Sequence, residues 1–325
     1  MACVGIEIFR HGIYTHARRT LEVTERHMKY TGITYRPPFE AESLLLQVTQ
    51  GCSHNRCAFC TMYRDVPFRT EALDQIERDL GEARMFRPHA RRVFLVNGDA
   101  FALGADMLCR IAEKIHDYLP DAETVAMYAS VRNVEVKTDG ELRALRAAGI
   151  NDLNIGLESG LGSVLERMNK GYVPEQALRA LQRLDRAGMR YGVNVILGAA
   201  GAGNGLRTAE ATAGLLNQTG VSLIFTGTIH ADPGCPLYDD MRSGVFTESD
   251  FAEYLLEEQH LLELLRVEDC LLFGLHPSNV VALRGYLPAD RDKMLLQIEK
   301  ARLRLRGHLH ERPRRFGEGG IILPR

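Results

Sequence analysis

No stretch of the sequence approaches the ~20 consecutive apolar residues that a membrane-spanning helix needs, so no bilayer anchor is expected. An excess of charge of one sign is missing too: 40 Lys and Arg face 42 Asp and Glu. No global field therefore draws the chain to nucleic acid or to an anionic lipid surface. Cysteine is sparse, seven in 325 residues, and an odd number cannot pair completely within one chain. That argues against a disulfide-built secreted scaffold. Residues 1–10 hold no apolar core of the kind that opens a secretory leader, and a cytoplasmic location is expected. Solenoid repeats and low-complexity tracts are also absent. What remains, 45% apolar and 25% charged, is the composition of a globular chain with a large core.

From Ser43 onward, short apolar runs alternate with helical periodicities. Runs at Leu44–Val48, Arg92–Val96, Thr124–Tyr128, Leu153–Leu157, Tyr191–Leu197 and Val221–Thr226 read as six strands. Between them, Leu73, Ile76, Leu80 and Ala83 share one helix face, and Leu108, Ile111, Ile115 and Leu119 share another. Thr138 and Glu141 have capping-box spacing, Gly149 sits at a left-handed stop, and Pro174 suits a first helical turn. Strand-helix alternation at this spacing implies parallel strands joined by right-handed crossovers. The expected fold is α/β: a partial (β/α)6 TIM-like barrel of parallel strands with an N-terminal extension and a helical C-terminal region. Residues 1–42 form the extension, with Pro37-Pro38 as an extended lead-in. Residues 43–240 form the barrel core, and 241–325 a mainly helical region with helices at Tyr254–Leu265 and Arg291–Leu305, ending in a loose Arg312–Arg325 tail.

Three of the seven cysteines, Cys52, Cys57 and Cys60, fall in one short loop after the first strand. Thiolates are soft ligands, and a loop this short converges three of them on one metal unit. A structural zinc site would close with a fourth ligand, and only His54 is at hand. An electron-transfer cluster would likewise ask for four cysteines. Three thiolates leave one iron of a cubane without a protein ligand, the open position that chemistry on a substrate requires. A zinc-binding α/β scaffold and an electron-transfer iron-sulfur protein stand as the alternatives.

The loop resembles that of the radical S-adenosylmethionine (radical SAM) superfamily, whose members carry C-x3-C-x2-C after the first strand with an aromatic before the last cysteine. Phe59 matches the aromatic; the first spacing here is C-x4-C, one residue longer. The resemblance spans roughly residues 43–240. It implies a [4Fe-4S] cluster on Cys52, Cys57 and Cys60 that cleaves S-adenosylmethionine reductively to a 5′-deoxyadenosyl radical, which abstracts hydrogen from a substrate. It further implies that Gly98 and Asp99, in place of a Gly-Gly-Glu turn, receive the cofactor amino group. By the same resemblance Ser130 and Arg132 hold its carboxylate or the substrate, Glu158 lies near its ribose or amino-acid moiety, and Asn194 and Gly198 line it.

Pro233-Gly234-Cys235-Pro236-Leu237-Tyr238 resembles the stretch that closes the core in related enzymes, with Cys235 a packing residue. Cys3, Cys109 and Cys270 read as small apolar residues in separate elements. His230, His276, His308 and His310 are isolated, and the His276–Asn279 loop, near Tyr286, is placed to cover the barrel mouth. The C-terminal helices would supply the rest of that cover. Expected partners are a reductant such as flavodoxin or ferredoxin and a small-molecule substrate. No appended basic RNA-binding domain is seen, and no cobalamin module fits in the first 40 residues.

Overall fold

The computed structural model describes residues 28–316 and 319–324. Residues 1–27 of the expected extension, with Cys3, lie outside the described residues. Eight strands form one sheet in strict chain order: β1 (Leu44–Gln47), β2 (Arg92–Val96), β3 (Thr124–Ala129), β4 (Ile150–Glu158), β5 (Arg190–Leu197), β6 (Leu223–Thr228), β7 (Cys270–Gly274) and β8 (Leu283–Leu287). Every neighbouring pair from β1 to β7 is parallel, and β8 returns antiparallel to β7. Helices α1 (Leu73–Phe86), α2 (Ala105–Tyr118), α3 (Asp139–Ala147), α4 (Pro174–Ala187) and α5 (Gly205–Leu216) make the first five crossovers, and α6 (Phe251–Leu264) lies between β6 and β7. Helix α7 (Arg291–Arg304) follows β8.

The first six strands are those expected from the sequence. Strands β7 and β8 are additions: the C-terminal region contributes the expected α6 and α7 but also extends the sheet. Among the described residues no pairing joins β8 to β1, so the barrel stays open along one seam.

Alternation along the strands separates two environments. On the outer face Val93, Leu95, Ile155, Val193 and Ile224 are fully buried against the helices, as are Ile76, Leu80, Leu108 and Ile111 on the helices themselves. Each such side chain contributes roughly 1.5–3 kcal/mol through burial, which makes this layer the main source of stability. On the inner face Tyr128, Asn194, Ile196, Phe225 and Gly227 stay only half-buried although their strands are central. The sheet therefore encloses a hollow.

Local signals act as read. Thr138 and Glu141 form the capping box, Gly149 takes φ +87°, and Pro174 opens α4. The lead-in is extended at Pro37 and then makes a 3-10 turn at Pro38–Glu40, which plugs the barrel at the strands' N-terminal ends. There buried Glu40 accepts from Arg92 Nε at 2.8 Å, and Arg92 Nη2 donates to Asp152 at 2.9 Å. Burial works to depress the guanidinium's pKa, but the two carboxylates outweigh it and hold the charge in place.

Candidate active site

The cysteine loop leaves β1 through a short ribbon in which Thr49–Gln50 pairs with Arg69–Thr70. Gly51 turns the chain at φ +70°, and a side chain there would meet the Val66 carbonyl oxygen at 2.7 Å, so only glycine fits. Backbone bonds then tie the loop to distant segments. Ala58 N donates to Met168 O at 3.0 Å, and Leu237 N donates to Ala58 O at 2.9 Å. Asn55, itself left-handed, donates to Tyr63 O at 2.6 Å. His54 Nε2 donates to Asn169 O at 2.6 Å, which engages the one side chain considered as a fourth metal ligand.

The three thiols are half-buried and free of disulfides, and each feels the charge of Lys170. Burial pushes Cys57 up to about 11, with Lys170 pulling it down and Glu158, Cys60 and Cys52 adding to the rise. Burial likewise raises Cys52 and Cys60. Among the described residues no three His, Cys, Asp or Glu side chains close on a point as a single ion would need. A cubane places each thiolate on a different iron, so that requirement does not bear on it.

Two polar centres flank the thiols. After β2, Asn97 is left-handed and buried, donating to Thr49 O at 3.0 Å. A side chain on the next residue, Gly98, would meet Tyr63 Cε2 at 2.5 Å and Cys52 Cβ at 3.1 Å, so the bare backbone lies directly against the loop. Asp99 is buried, and its Oδ2 accepts from the Ser53 hydroxyl while its Oδ1 has no partner. Burial raises its pKa against the pull of Ser53. Opposite, at the end of β4, a register shift and a φ of +65° bring the Glu158 carboxylate back over Gly156. It pairs with Lys170 Nζ at 2.8 Å, both side chains being at most 10% exposed. Lys170 also lies 6.0 Å from the centroid of the Phe59 ring. Burial works to lower the Lys170 pKa, but Glu158, Tyr172 and Cys57 outweigh it, so the ammonium is held charged.

The remaining residues singled out from sequence are distributed unevenly. Ser130 caps the short helix Val131–Glu135, exchanging bonds with Asn133, so its hydroxyl is committed. Arg132 is exposed beside Gly171 and His54. Asn194 faces the hollow from β5, next to Gly156 in register. Gly198 is turned toward α6: its N–H donates to Glu257 Oε2 at 2.8 Å, and a side chain would strike Tyr254 at 2.4 Å. It is not brought to the cysteine loop. Cys235 and Cys270 are buried as expected. Sequence reading missed Lys170 and Tyr63. The Asn169-Lys170-Gly171 run was a visible turn signal, but the partner of Lys170 becomes evident only in three dimensions.

An open parallel barrel with a three-thiol loop at the C-terminal ends of its strands defines a cofactor-dependent enzyme class. The radical SAM superfamily model matches residues 46–205. Those residues form a radical SAM domain, and that domain makes the chain an enzyme. Radical SAM enzymes use a [4Fe-4S] cluster and S-adenosylmethionine. No curated protein matches the chain. Among solved structures, a radical S-adenosylmethionine methyltransferase, TsrM from Kitasatospora setae, solved with cobalamin and a [4Fe-4S] cluster bound, is similar with a TM-score of 0.52 and 15% identity. The similarity covers 66% of this chain and 43% of that one, so this chain spans less than half of TsrM. Methylornithine synthase (PylB) matches with a TM-score of 0.52 and 13% identity over 88% of this chain and 74% of its own. At these identities the likeness is one of fold.

Proposed function

We propose that Cys52, Cys57 and Cys60 hold a [4Fe-4S] cluster and that the chain acts on a small molecule bound in the barrel hollow. When bound, the cluster supplies the electron that cleaves S-adenosylmethionine to a 5′-deoxyadenosyl radical, which takes hydrogen from that molecule. The observation that carries the reading is three half-buried thiols, free of disulfides, gathered on one glycine-turned loop beside the buried Lys170–Glu158 pair.

This chain's own residues have definable tasks. Asp99 is a buried carboxylate beside Cys52, which suits the cofactor ammonium; Gly98 lets that ligand approach the backbone. Lys170 offsets the negative charge gathered by the thiolates, and Glu158 fixes Lys170. Phe59 shields the loop from water. Arg132, exposed near the rim, is available to a carboxylate, whereas Ser130 positions the helix that presents it. Asn194 contacts whatever fills the hollow, and Gly198 shapes the rim by admitting Tyr254.

A reductant such as flavodoxin or ferredoxin supplies electrons, and the chain works in the cytoplasm, consistent with the absence, among the described residues, of any helix long and apolar enough to cross a membrane. The test is anaerobic reconstitution followed by dithionite and S-adenosylmethionine, with chromatography of the products. Formation of 5′-deoxyadenosine is expected. Zinc in place of iron, or an intact cluster that leaves S-adenosylmethionine uncleaved, would overturn the assignment.

A further inference from the structure

The inner face of the sheet carries two kinds of surface that its outer face lacks. One is aromatic. Phe225 on β6 stacks with Phe273 on β7 at a centroid distance of 6.1 Å, and Phe39 from the lead-in meets them edge-on at 6.0 and 5.7 Å. The His276 ring stands perpendicular to Phe225 at 6.0 Å. Phe39 and Phe225 remain half-buried, so their faces are not consumed by the core.

The other is a set of unspent hydrogen-bond donors. Asn154 is 3% exposed, yet its side-chain nitrogen has no partner. A buried amide donor left unpaired carries a desolvation cost, which a ligand acceptor in that position would recover. His276 Nδ1 accepts from Ser278 N at 3.2 Å and also meets Ser278 Oγ at 2.7 Å, while Ser278 Oγ accepts from Thr228 N. An N–H can only donate, so Nδ1 is the lone-pair nitrogen and Nε2 carries the proton. Burial and the nearby His230 keep the ring neutral, and no bond to Nε2 is made among the described residues.

Register fixes how these surfaces lie beside each other. Asn154 aligns with Gly192 and then Leu223, and Asn194 one step higher aligns with Phe225 and then Phe273. Two strand spacings along the sheet, about 10 Å, therefore separate the backbone at Asn154 from that at Phe225, a span that one flat molecule lying on the inner face covers. Glu158 folds over Gly156, the inner-face residue that follows Asn154, and is close enough to Cys57 to influence it, so this part of the inner face lies on the thiol-loop side of the sheet.

We infer that this hollow takes a planar aromatic or heteroaromatic small molecule bearing a carbonyl or ring-nitrogen acceptor, its ring on Phe225 and its acceptor on Asn154. The inference rests on the radical SAM reading for its chemistry but not for its binding.

Fluorine NMR of 4-fluorobenzamide titrated with the reconstituted chain tests it. Saturable binding is expected, with the saturated ring of cyclohexanecarboxamide competing at least about tenfold more weakly than unlabelled benzamide. Asn154→Leu and Phe225→Leu are each expected to weaken binding about fivefold or more, with circular dichroism melts reporting that the fold is kept. Asn154→Ala provides a second variant at the same donor if Asn154→Leu does not fold. No binding, equal competition by the saturated ring, or unchanged affinity in the folded variants would overturn the inference. Formation of 5′-deoxyadenosine, measured separately, reports on the radical reading: its failure with intact benzamide binding would remove the chemistry and leave the hollow, and the reverse would remove the hollow alone.

Discussion

Replacing Lys170 with Met isolates the electrostatics of the thiol loop. At 2.8 Å the Lys170–Glu158 pair interacts by about 6 kcal/mol at an effective dielectric near 20, a gross attraction offset by the desolvation of both groups. What the variant exposes is asymmetry. Lys170→Met strands Glu158, 8% exposed in its side chain, in a site built for a cation, and removal of one partner of such a pair costs about 3–5 kcal/mol. The three thiols lose a charge that favours the ionised form of each, so iron retention should fall with stability. Glu158→Gln combined with Lys170→Met removes both charges and should recover most of the stability, because no buried charge is left unpaired. Denaturant unfolding of anaerobically purified protein, with iron quantified on the same samples, gives the full double-mutant cycle. The reasoning fails if Lys170→Met costs less than about 1 kcal/mol, or if the double variant is no more stable than the single one.

Further expectations concern the loop and the buried acids. Changing Cys52, Cys57 or Cys60 to Ser should abolish the iron chromophore after reconstitution, whereas Cys109→Ser and Cys235→Ala should retain it in iron and sulfide assays. Gly98→Ala would drive a methyl group into Tyr63 and against Cys52, so it should lose iron, and adding Tyr63→Leu should restore part of it. Burial holds Glu257 at about 8, and burial with the Glu257 charge holds Glu258 at about 8, against an ordinary 4.5. The folded state thus keeps protons that the unfolded chain has released between these values. This contribution is complete below about pH 4.5 and is lost as pH rises through about 8, by up to about 1.4 kcal/mol per pH unit for each proton. Thermal melts from pH 5.5 to 8.5 should show the decline, and a Glu257→Gln, Glu258→Gln double variant should flatten it.

Much of the barrel was legible because its strands are runs of apolar residues punctuated by amphipathic helices, a pattern that local physics produces. β7 and β8 escaped because the connection from β6 is long and because β8, Leu283–Leu287, is short, with Arg284 and Gly285 diluting its apolar signal. Its period-two alternation of buried Leu283, Gly285 and Leu287 with exposed Arg284 and Tyr286 was the missed clue. The cysteines were legible since their spacing carries the chemistry. Lys170 was not, since its meaning comes from a fold that returns the chain after β4 to the cysteine loop. Gly198 marks the reach of local reading: its position at a strand end suggested a lining role, and its contacts with Glu257 and Tyr254 become visible only in three dimensions.

The thiol loop is stitched to Met168, Asn169 and Leu237 by bonds that involve no iron. Many small metal-bearing domains collapse when stripped, because the metal is what folds them. Here the stitches belong to the polypeptide, so damage by oxygen would empty a socket without erasing its shape. A cluster lost from such a socket should therefore be replaceable in the folded chain, without a round of refolding.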